Sequence, residues 1–309
     1  MEPEKRWRRL AESLERVLVL VERWLQGEIP AEVDSRAIAE GRAFRFERAR
    51  GRGRLVAIPA PEPFDLADLL GVERSVERLA RNTEQFLAGL PYNHVLLYGE
   101  RGTGKSSAVR GLLTRFGARG LRVVEVRKAD LAHLPDLLSL LRGHDEHFLV
   151  FCDDLSFSEG DAGYRELKAA LEGSLDAPPR NMCLVATSNR RHLLSERRSE
   201  NREVRVDEDG ELHVGEAIDE KLALSDRFGL MLAFFGFDQK TYLRIVEHHA
   251  ARAALRVPPE RLRSESLRWA LERSSRSGRT ASQFVNDLAG RLALEERKPP
   301  GAPRDEEPM

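Results

Sequence analysis

The nine residues GERGTGKSS, Gly99–Ser107, match the pattern G-x-x-x-x-G-K-[ST], in which a glycine-rich turn wraps a phosphate group. A strand-like run, HVLLY, precedes them, and a stretch with Val109, Leu112 and Phe116 on one helical face follows. Glycines let backbone N–H groups approach a phosphate, and the start of the next helix adds positive potential. The stretch therefore predicts a phosphate-binding loop between a strand and a helix, which is the first unit of a parallel α/β sheet.

Two side chains of this loop carry the expected chemistry. Lys105 reaches the outer phosphates of a nucleotide, and the hydroxyl of Ser106 can bind Mg²⁺. The alternative is a glycine-rich turn in front of an ordinary helix. The residues that we expect to bind the nucleotide here are Gly99, Glu100, Arg101, Gly102, Thr103, Gly104, Lys105, Ser106 and Ser107.

A second stretch, FLVFCDDLSF, runs five apolar residues directly into Asp153 and Asp154. An unpaired buried carboxylate is costly, so these acids need a positive partner. Because neighbouring strand residues point to opposite faces, the two acids cannot share one ion equally. We expect Asp153 to hold Mg²⁺ through its water shell and Asp154 to face the attacking water. The alternative is that the acids cap the next helix.

Three further polar residues fit an ATPase site. Asn189 ends the apolar run of CLVATSNRR and is suited to orienting water, although asparagine also commonly opens turns. Arg227 precedes the last predicted strand, where it can stabilise transition-state charge in a neighbouring subunit or form a structural ion pair. Arg279 falls near a predicted helix start, where the helix dipole disfavours a cation unless a phosphate binds; a solvated arginine is the alternative.

The hydrophobic pattern predicts an α/β fold of the P-loop NTPase type, with a five-stranded parallel sheet covered by helices on both faces. The predicted strands are His94–Tyr98, Leu121–Val126, Phe148–Cys152, Met182–Ala186 and Leu230–Phe235. After Phe237 only helical patterns remain, which predicts a small helical lid. The expected divisions are an N-terminal extension over 1–62, a nucleotide-binding core over 63–237, the lid over 238–297 and a disordered tail over 298–309.

The extension contains two distinct segments. Residues 5–26 place apolar side chains on one stripe of an amphipathic helix. Six arginines lie between Arg42 and Arg54, with Phe44 and Phe46 among them, a pattern that can mark a nucleic-acid surface. A half-buried edge strand followed by a solvated loop explains the same pattern, and we favour it. Farther along, EVRVDEDGELHV, Glu203–Val214, predicts a β-hairpin.

Composition narrows the class of protein. The 309 residues include 50 basic and 51 acidic ones, so no overall charge favours nucleic acid or an anionic membrane. No apolar run approaches the roughly 18 residues that would span a bilayer. The cysteines, Cys152 and Cys183, lie inside apolar runs and are expected to be buried and free. We expect a soluble, cytoplasmic protein.

Together the motifs and their order resemble the AAA+ ATPase superfamily. Six stretches resemble the bacterial domain-of-unknown-function family 815 more closely, over about Phe44 to Arg291: YGERGTGKSS, FCDDLSF, YRELKAALEGSL, ATSNRRHLL, EKLALSDRFGL and RSGRTASQF. The resemblance implies ATP and Mg²⁺ as cofactors and a homo-oligomer with sites between subunits.

The resemblance also implies residue roles. Asp153 and Asp154 fill the Walker B positions, Asn189 is sensor 1, Arg227 is the arginine finger and Arg279 is sensor 2. The backbone near Val72, in LLGVERSVERL, is implied to meet adenine. One departure is that the second Walker B acid is usually glutamate, whereas Asp154 is shorter by one methylene, which favours slow turnover.

Three functions are open at this point. The first is an oligomeric ATPase that remodels or loads a macromolecular partner. The second is a slow, nucleotide-switched binding module, with nucleic acid as a candidate partner. The third is a small-molecule phosphotransferase, which the lid and the Arg227 segment disfavour. The stretch after the second core strand, RKADLAHLPDLLSLLRG, has no aromatic residue, so we do not expect polypeptides to be threaded through a pore.

Overall fold

A computed structural model describes residues 18, 35–49, 52–157, 161–172, 179–189, 205, 206, 212, 213 and 224–297. Its main feature is a seven-stranded sheet. The strands of this sheet are β1 (Ala43–Ala49), β2 (Arg52–Ala57), β3 (Val95–Gly99), β4 (Leu121–Glu125), β5 (His147–Cys152), β6 (Met182–Ser188) and β9 (Leu230–Phe234). They lie in the order β2-β1-β4-β5-β6-β3-β9. All neighbours pair in parallel except β1 and β2. The predicted fold class is confirmed.

The register brings three strand ends to one edge of the sheet. Tyr98 of β3 pairs with Ser188 of β6, and Cys152 of β5 pairs with Ala186 of β6. The residues that follow β3, β5 and β6 therefore meet at the carboxyl edge, where ligands of parallel sheets bind.

The sheet has two more strands than the five that the sequence predicts. Strand β1 was expected, but the following arginine-rich segment forms the edge strand β2 where a solvated loop was expected. Phe44 and Phe46 of β1 are buried and alternate with polar residues, and β2 completes their cover. Tertiary pairing therefore overrides the polar composition of residues 52–54, which alone gives little strand signal.

Three arginines of this edge have acidic or imidazole partners. Arg45 Nε donates to Glu125 Oε2 at 2.9 Å, and Arg54 Nη2 lies 3.3 Å from Glu47 Oε2. Arg48 Nη1 lies 2.7 Å from Nε2 of His133. These contacts account for three of the arginines within the protein itself.

Helices cover both faces of the sheet. They are α1 (Ser35–Glu40), α2 (Glu73–Leu87), α3 (Lys105–Phe116), α4 (Leu134–Leu141) and α5 (Ala162–Glu172), with short 3₁₀ turns at Leu66–Asp68, Gly117–Arg119 and Lys128–His133. Alternate residues of β5 enter different cores: Phe148 and Val150 pack on one face, and Leu149 and Phe151 on the other. A strand buried on both faces explains its continuous apolar sequence.

Three helices follow the last strand and share a separate core. They are α6 (Gln239–Arg252), α7 (Pro259–Glu272) and α8 (Gly278–Arg297). Tyr242, Ile245 and Phe284 are buried in this core. The carboxylate of Asp238 accepts a 2.7 Å hydrogen bond from the N–H of Thr241 and caps α6. We call α6–α8 the lid.

Two cysteines lie on opposite faces of the sheet. Cys152 belongs to one core and Cys183 to the other, and both are free and buried, as predicted. Burial raises the pKa of each thiol to about 12. Both side chains therefore act as small apolar groups.

Other expectations fall partly or wholly outside the described residues. The amphipathic stretch over 5–26, of which only Leu18 is described, and the tail over 298–309 lie outside them. Two short strands, β7 (Arg205–Val206) and β8 (Leu212–His213), pair antiparallel, as the hairpin prediction requires. Across the described ranges no helix combines the length and apolarity needed to cross a membrane.

Candidate active site

The loop between β3 and α3 has the backbone geometry of a phosphate cradle. Gly99, Gly102 and Gly104 have φ values of 134°, 76° and 103°, which L side chains rarely adopt. A Cβ on Gly99 would also lie 2.1 Å from the carbonyl oxygen of Phe234 in β9. Helix α3 begins directly after Gly104, so its free N–H groups face the loop.

Lys105 is the buried cation of this loop, with 7% of its surface exposed. Its Nζ donates to the carbonyl oxygens of Gly99 at 2.8 Å and Glu100 at 2.7 Å, and to Oδ1 of Asn189 at 3.2 Å. Burial lowers the pKa of Lys105, while the nearby carboxylates act in the opposite direction. The predicted lysine therefore lies at the centre of the loop, in contact with the predicted asparagine.

Asp153 and Asp154 have different partners. Ser106 Oγ donates to Asp153 Oδ1 at 2.8 Å, and Thr187 Oγ1 donates to the same oxygen at 2.5 Å. Asp154 Oδ1 accepts a 2.5 Å bond from Asn189 Nδ2, and the Asp154 N–H donates to Thr187 Oγ1 at 2.8 Å. One acid thus lies beside the predicted metal-binding hydroxyl and the other beside the predicted water-orienting amide.

The helix-cap alternative for these acids is not what the structure shows. Helix α5 begins at Ala162, where Asp161 Oδ1 accepts a 3.1 Å bond from the N–H of Gly163. Asp154 has a φ of +52°, so it is the residue at which the chain turns away from β5.

A cavity of about 660 Å³ lies between the sheet edge and the lid. The loop from Arg101 to Ser107 lines one end together with Asp153, Asp154 and Asn189. Apolar side chains from other segments also line the cavity: Phe64, Leu69, Leu70, Phe237 and Ile245. Val72, implied to meet adenine, is 7% exposed, lies in the same core as Leu69 and is not among the described residues that line the cavity. The cavity thus has a charged end and several apolar walls.

The lid contacts the phosphate loop directly. Helix α8 begins at Gly278, as predicted, and the N–H of Arg279 donates to the carbonyl oxygen of Gly102 at 3.3 Å. A Cβ on Gly102 would lie 2.7 Å from Oγ of Ser277. Arg279 lines the charged end of the cavity. Its positive charge, like that of Arg101, acts to lower the pKa of Lys105.

Arg227 lies at the other edge of the sheet. In β9, Leu230 pairs with Val95, at the start of β3, whereas Phe234 pairs with Gly99, where the loop begins. Strands rise roughly 3.3 Å per residue. Arg227 is half-buried, three residues before β9, and is not among the described residues that line the cavity. It is the one predicted catalytic residue that the fold does not bring to this cavity.

The geometry fits a magnesium-bound nucleotide. Within the described ranges, no three His, Cys, Asp or Glu side chains form a metal site of their own. Mg²⁺ at nucleotides is held by one or two protein groups together with phosphates and water. Ser106 and Asp153 provide such a pair, at the open end of a loop whose N–H groups suit phosphate oxygens.

Comparison with known proteins identifies the family. Residues 39–292 match the family described as protein of unknown function, DUF815. The chain belongs to this family. The match spans most of the chain, and the resemblance to this family inferred from the motifs is confirmed.

Solved structures of other proteins have a fold similar to that of this DUF815 chain. The Thermotoga maritima RuvB Holliday junction branch migration motor is 19% identical, with a TM-score of 0.51 over 76% of this chain and 67% of that chain. A point variant of the same RuvB is 20% identical, with the same score and coverage. A DNA replication initiation factor is 17% identical, with a TM-score of 0.44 over 76% and 68%. The RuvB likeness establishes the fold; among curated proteins, none matches the chain.

Sequence reasoning missed two groups of residues at the DUF815 cavity. Thr187 joins both acids, and its signal was a hydroxyl within the apolar run CLVATS, two residues before Asn189. Asp68 and His249 line the cavity from segments far apart in the sequence, and no local pattern marks either.

Proposed function

We propose that this DUF815 protein is an AAA+ ATPase that binds and hydrolyses Mg-ATP at a subunit interface to remodel or load a macromolecular partner. The observation that carries the proposal is the meeting of Lys105, Ser106, Asp153, Asp154 and Asn189 at one end of a single cavity. These residues come from the ends of three parallel strands. A glycine-rich turn that binds no ligand would not require these five side chains to meet.

Each side chain has a task in the proposed reaction. When bound, Mg²⁺ would neutralise charge on the phosphates. Ser106 and Asp153 would hold it, and Thr187 fixes the orientation of the Asp153 carboxylate. Lys105 reaches the outer phosphates after leaving its loop carbonyls. Asp154 accepts a proton from the attacking water, and Asn189 orients that water.

Arg227 supports a site shared between subunits. It precedes the amino end of β9, whereas its own phosphate loop follows the carboxyl end of the neighbouring strand β3, and it is not among the described residues that line the cavity. An arginine supplied by a neighbour stabilises the charge that develops on the transferred phosphoryl group. A homo-oligomer follows from this assignment.

The class of partner is a macromolecule. The RuvB structure is described as a Holliday junction branch migration motor, and by analogy nucleic acid is one candidate partner here. The arginine stretch adds little to this candidate, because Arg45, Arg48 and Arg54 already contact Glu125, His133 and Glu47. A protein partner remains the other candidate.

One observation favours a slow, nucleotide-switched binding module as the second candidate function. The carboxylate of Asp154 is held at 2.5 Å by Asn189, and this side chain is one methylene shorter than the glutamate usual in AAA+ proteins. Both features reduce its reach toward a water at the phosphate. A switch of this kind would bind ATP and ADP tightly and turn over rarely.

Phosphate release separates these functions. We expect the purified protein to release inorganic phosphate from ATP in the presence of Mg²⁺, and to lose this activity on Mg²⁺ chelation. Stimulation by DNA, RNA or captured protein would support the motor. Tight ATP and ADP binding with negligible release under all conditions would support the switch, and absence of nucleotide binding would contradict both.

A further inference from the structure

Residues 65–70 form a connector between the phosphate loop and the lid. Leu66–Asp68 is a 3₁₀ turn, capped by the side chain of Asp65, which accepts a 2.9 Å bond from the N–H of Ala67. A Cβ on Gly111 of α3 would lie 2.4 Å from Cδ2 of Leu66, and one on Gly104 would lie 2.4 Å from Cδ2 of Leu69. The absence of side chains at these glycines lets the connector pack directly on the loop and its helix.

The carboxylate of Asp68 joins the connector to the lid. Nε2 of His248 donates to Oδ1 of Asp68 at 2.8 Å, and Nη1 of Arg252 donates to Oδ2. Only 12% of the Asp68 side chain is exposed. Burial acts to raise the pKa of Asp68, but the bonds and charges of Arg252 and His248 outweigh it and hold that pKa below its usual value. Both carboxylate oxygens are thus engaged by the lid.

One face of α6 both contacts Asp68 and forms a wall of the cavity. Ile245 and His249 of α6 line the cavity, while His248 and Arg252 of the same helix hold Asp68, which also lines it. Positions spaced by three and four residues lie on one side of a helix. The contact between α6 and the connector therefore joins two walls of the cavity to each other.

We propose that Asp68 is a positioning residue that clasps α6 against the connector and sets how long a nucleotide stays bound. This inference rests on the proposed function, because it concerns release from the same cavity. A ligand between the loop and the lid leaves more readily when the two walls separate. Since Asp68 contacts side chains of the lid and not the phosphate loop, its loss should affect ATP and ADP alike, in contrast to changes in the phosphate loop.

A nearby ion pair provides a matched control. Glu73 Oε1 lies 3.4 Å from Nη2 of Arg244, also on α6, but both side chains are about half exposed, at 52% and 51%. Exposed pairs contribute little, because solvent screens them. Glu73 is not one of the described residues that line the cavity.

The test measures release of fluorescent ADP and ATP analogues by stopped flow. We expect Asp68→Asn and Arg252→Ala each to speed release of both nucleotides by about tenfold or more, within the usual range of coupling between sites. The double variant should release no faster than Asp68→Asn alone, because Arg252 acts on the lid contact through the Asp68 carboxylate. Arg252→Lys should retain slow release, and Glu73→Gln should behave as wild type.

Amide hydrogen exchange of α6 in the nucleotide-free protein gives a second measurement. Asp68→Asn should speed exchange there and Glu73→Gln should not. Wild-type release from Asp68→Asn and Arg252→Ala would overturn the clasp, as would equal acceleration in Glu73→Gln. If wild type binds no nucleotide, the proposed function fails, and the exchange measurement still decides whether Asp68 holds the lid.

Discussion

The hydroxyl of Ser106 lies 2.8 Å from Oδ1 of Asp153, although 47 residues separate the two in the chain. The adjacent Asp154 instead contacts Asn189. The Asp153 carboxylate therefore lies beside the hydroxyl predicted to bind the metal. The Asp154 carboxylate lies beside the amide predicted to orient water. Their substitutions should have different consequences.

Asp154→Asn should keep Mg-ATP affinity and lose hydrolysis, whereas Asp153→Asn should chiefly weaken Mg²⁺ binding. Removing a general base or water-orienting group costs about 10²–10⁴ in rate. Asparagine tolerates a positive φ nearly as well as aspartate, so the turn at residue 154 should survive. Phosphate release and equilibrium nucleotide binding, titrated with Mg²⁺, measure both effects. Wild-type turnover in Asp154→Asn would remove its catalytic role.

Lys105→Ala should lower ATP affinity by about 10–100-fold, because a charged hydrogen-bond donor contributes about 1.5–3 kcal/mol. Equilibrium dialysis measures this change. Lys128→Ala is the control, since Lys128 pairs with Asp161 at 3.3 Å on the surface, with 42% of its side chain exposed. Equal affinity in the two variants would contradict the assignment of the loop.

Gly102→Ala should impair nucleotide binding beyond its effect on stability. Its φ of 76° and that of Gly120, 96°, both disfavour alanine by about 1–2 kcal/mol. A Cβ at Gly102 would meet Ser277 and Arg279 of the lid, whereas none of the described atoms lies within 4 Å of one at Gly120. The temperature of thermal unfolding should fall by a similar amount in both variants. Only Gly102→Ala should bind ATP poorly. The lid contact is irrelevant to binding if both bind equally.

Arg227→Ala and Lys105→Ala should each be inactive alone and recover activity when mixed. Some interfaces of a mixed oligomer pair an intact loop from one variant with an intact Arg227 from the other. An arginine finger contributes about 10³–10⁵ in rate, so even a minority of such interfaces is measurable. If both variants fold and co-assemble but the mixture stays inactive, the shared site is wrong.

The site and the sheet differ in how far the sequence predicts them. Lys105, Asp153 and Asn189 follow apolar runs, and parallel strands bring their ends together, so local pattern and one topological rule suffice. Strand β2 was not predicted, because Arg52 and Arg54 give it a polar composition and its stability comes from pairing with β1.

The lid contacts lie beyond any local pattern. Asp68 and His248 are separated by 180 residues, and each looks like an ordinary surface residue in its own segment. Only the packing of α6 on the connector makes them partners. Thr187 was hidden for another reason, since a single hydroxyl in a buried strand is usually satisfied by the backbone.

The left-handed backbone at Asp154 restricts which substitutions this position tolerates. With φ at +52°, glycine fits freely, and asparagine and aspartate adopt this conformation more readily than most other residues, because their short polar side chains bond locally. Only aspartate among these carries a negative charge. Glutamate would gain a methylene of reach but lacks this local advantage at the turn that follows β5. The short acid of this chain therefore suits the main-chain geometry, and variation at residue 154 among homologues should track the local turn before it tracks catalytic rate.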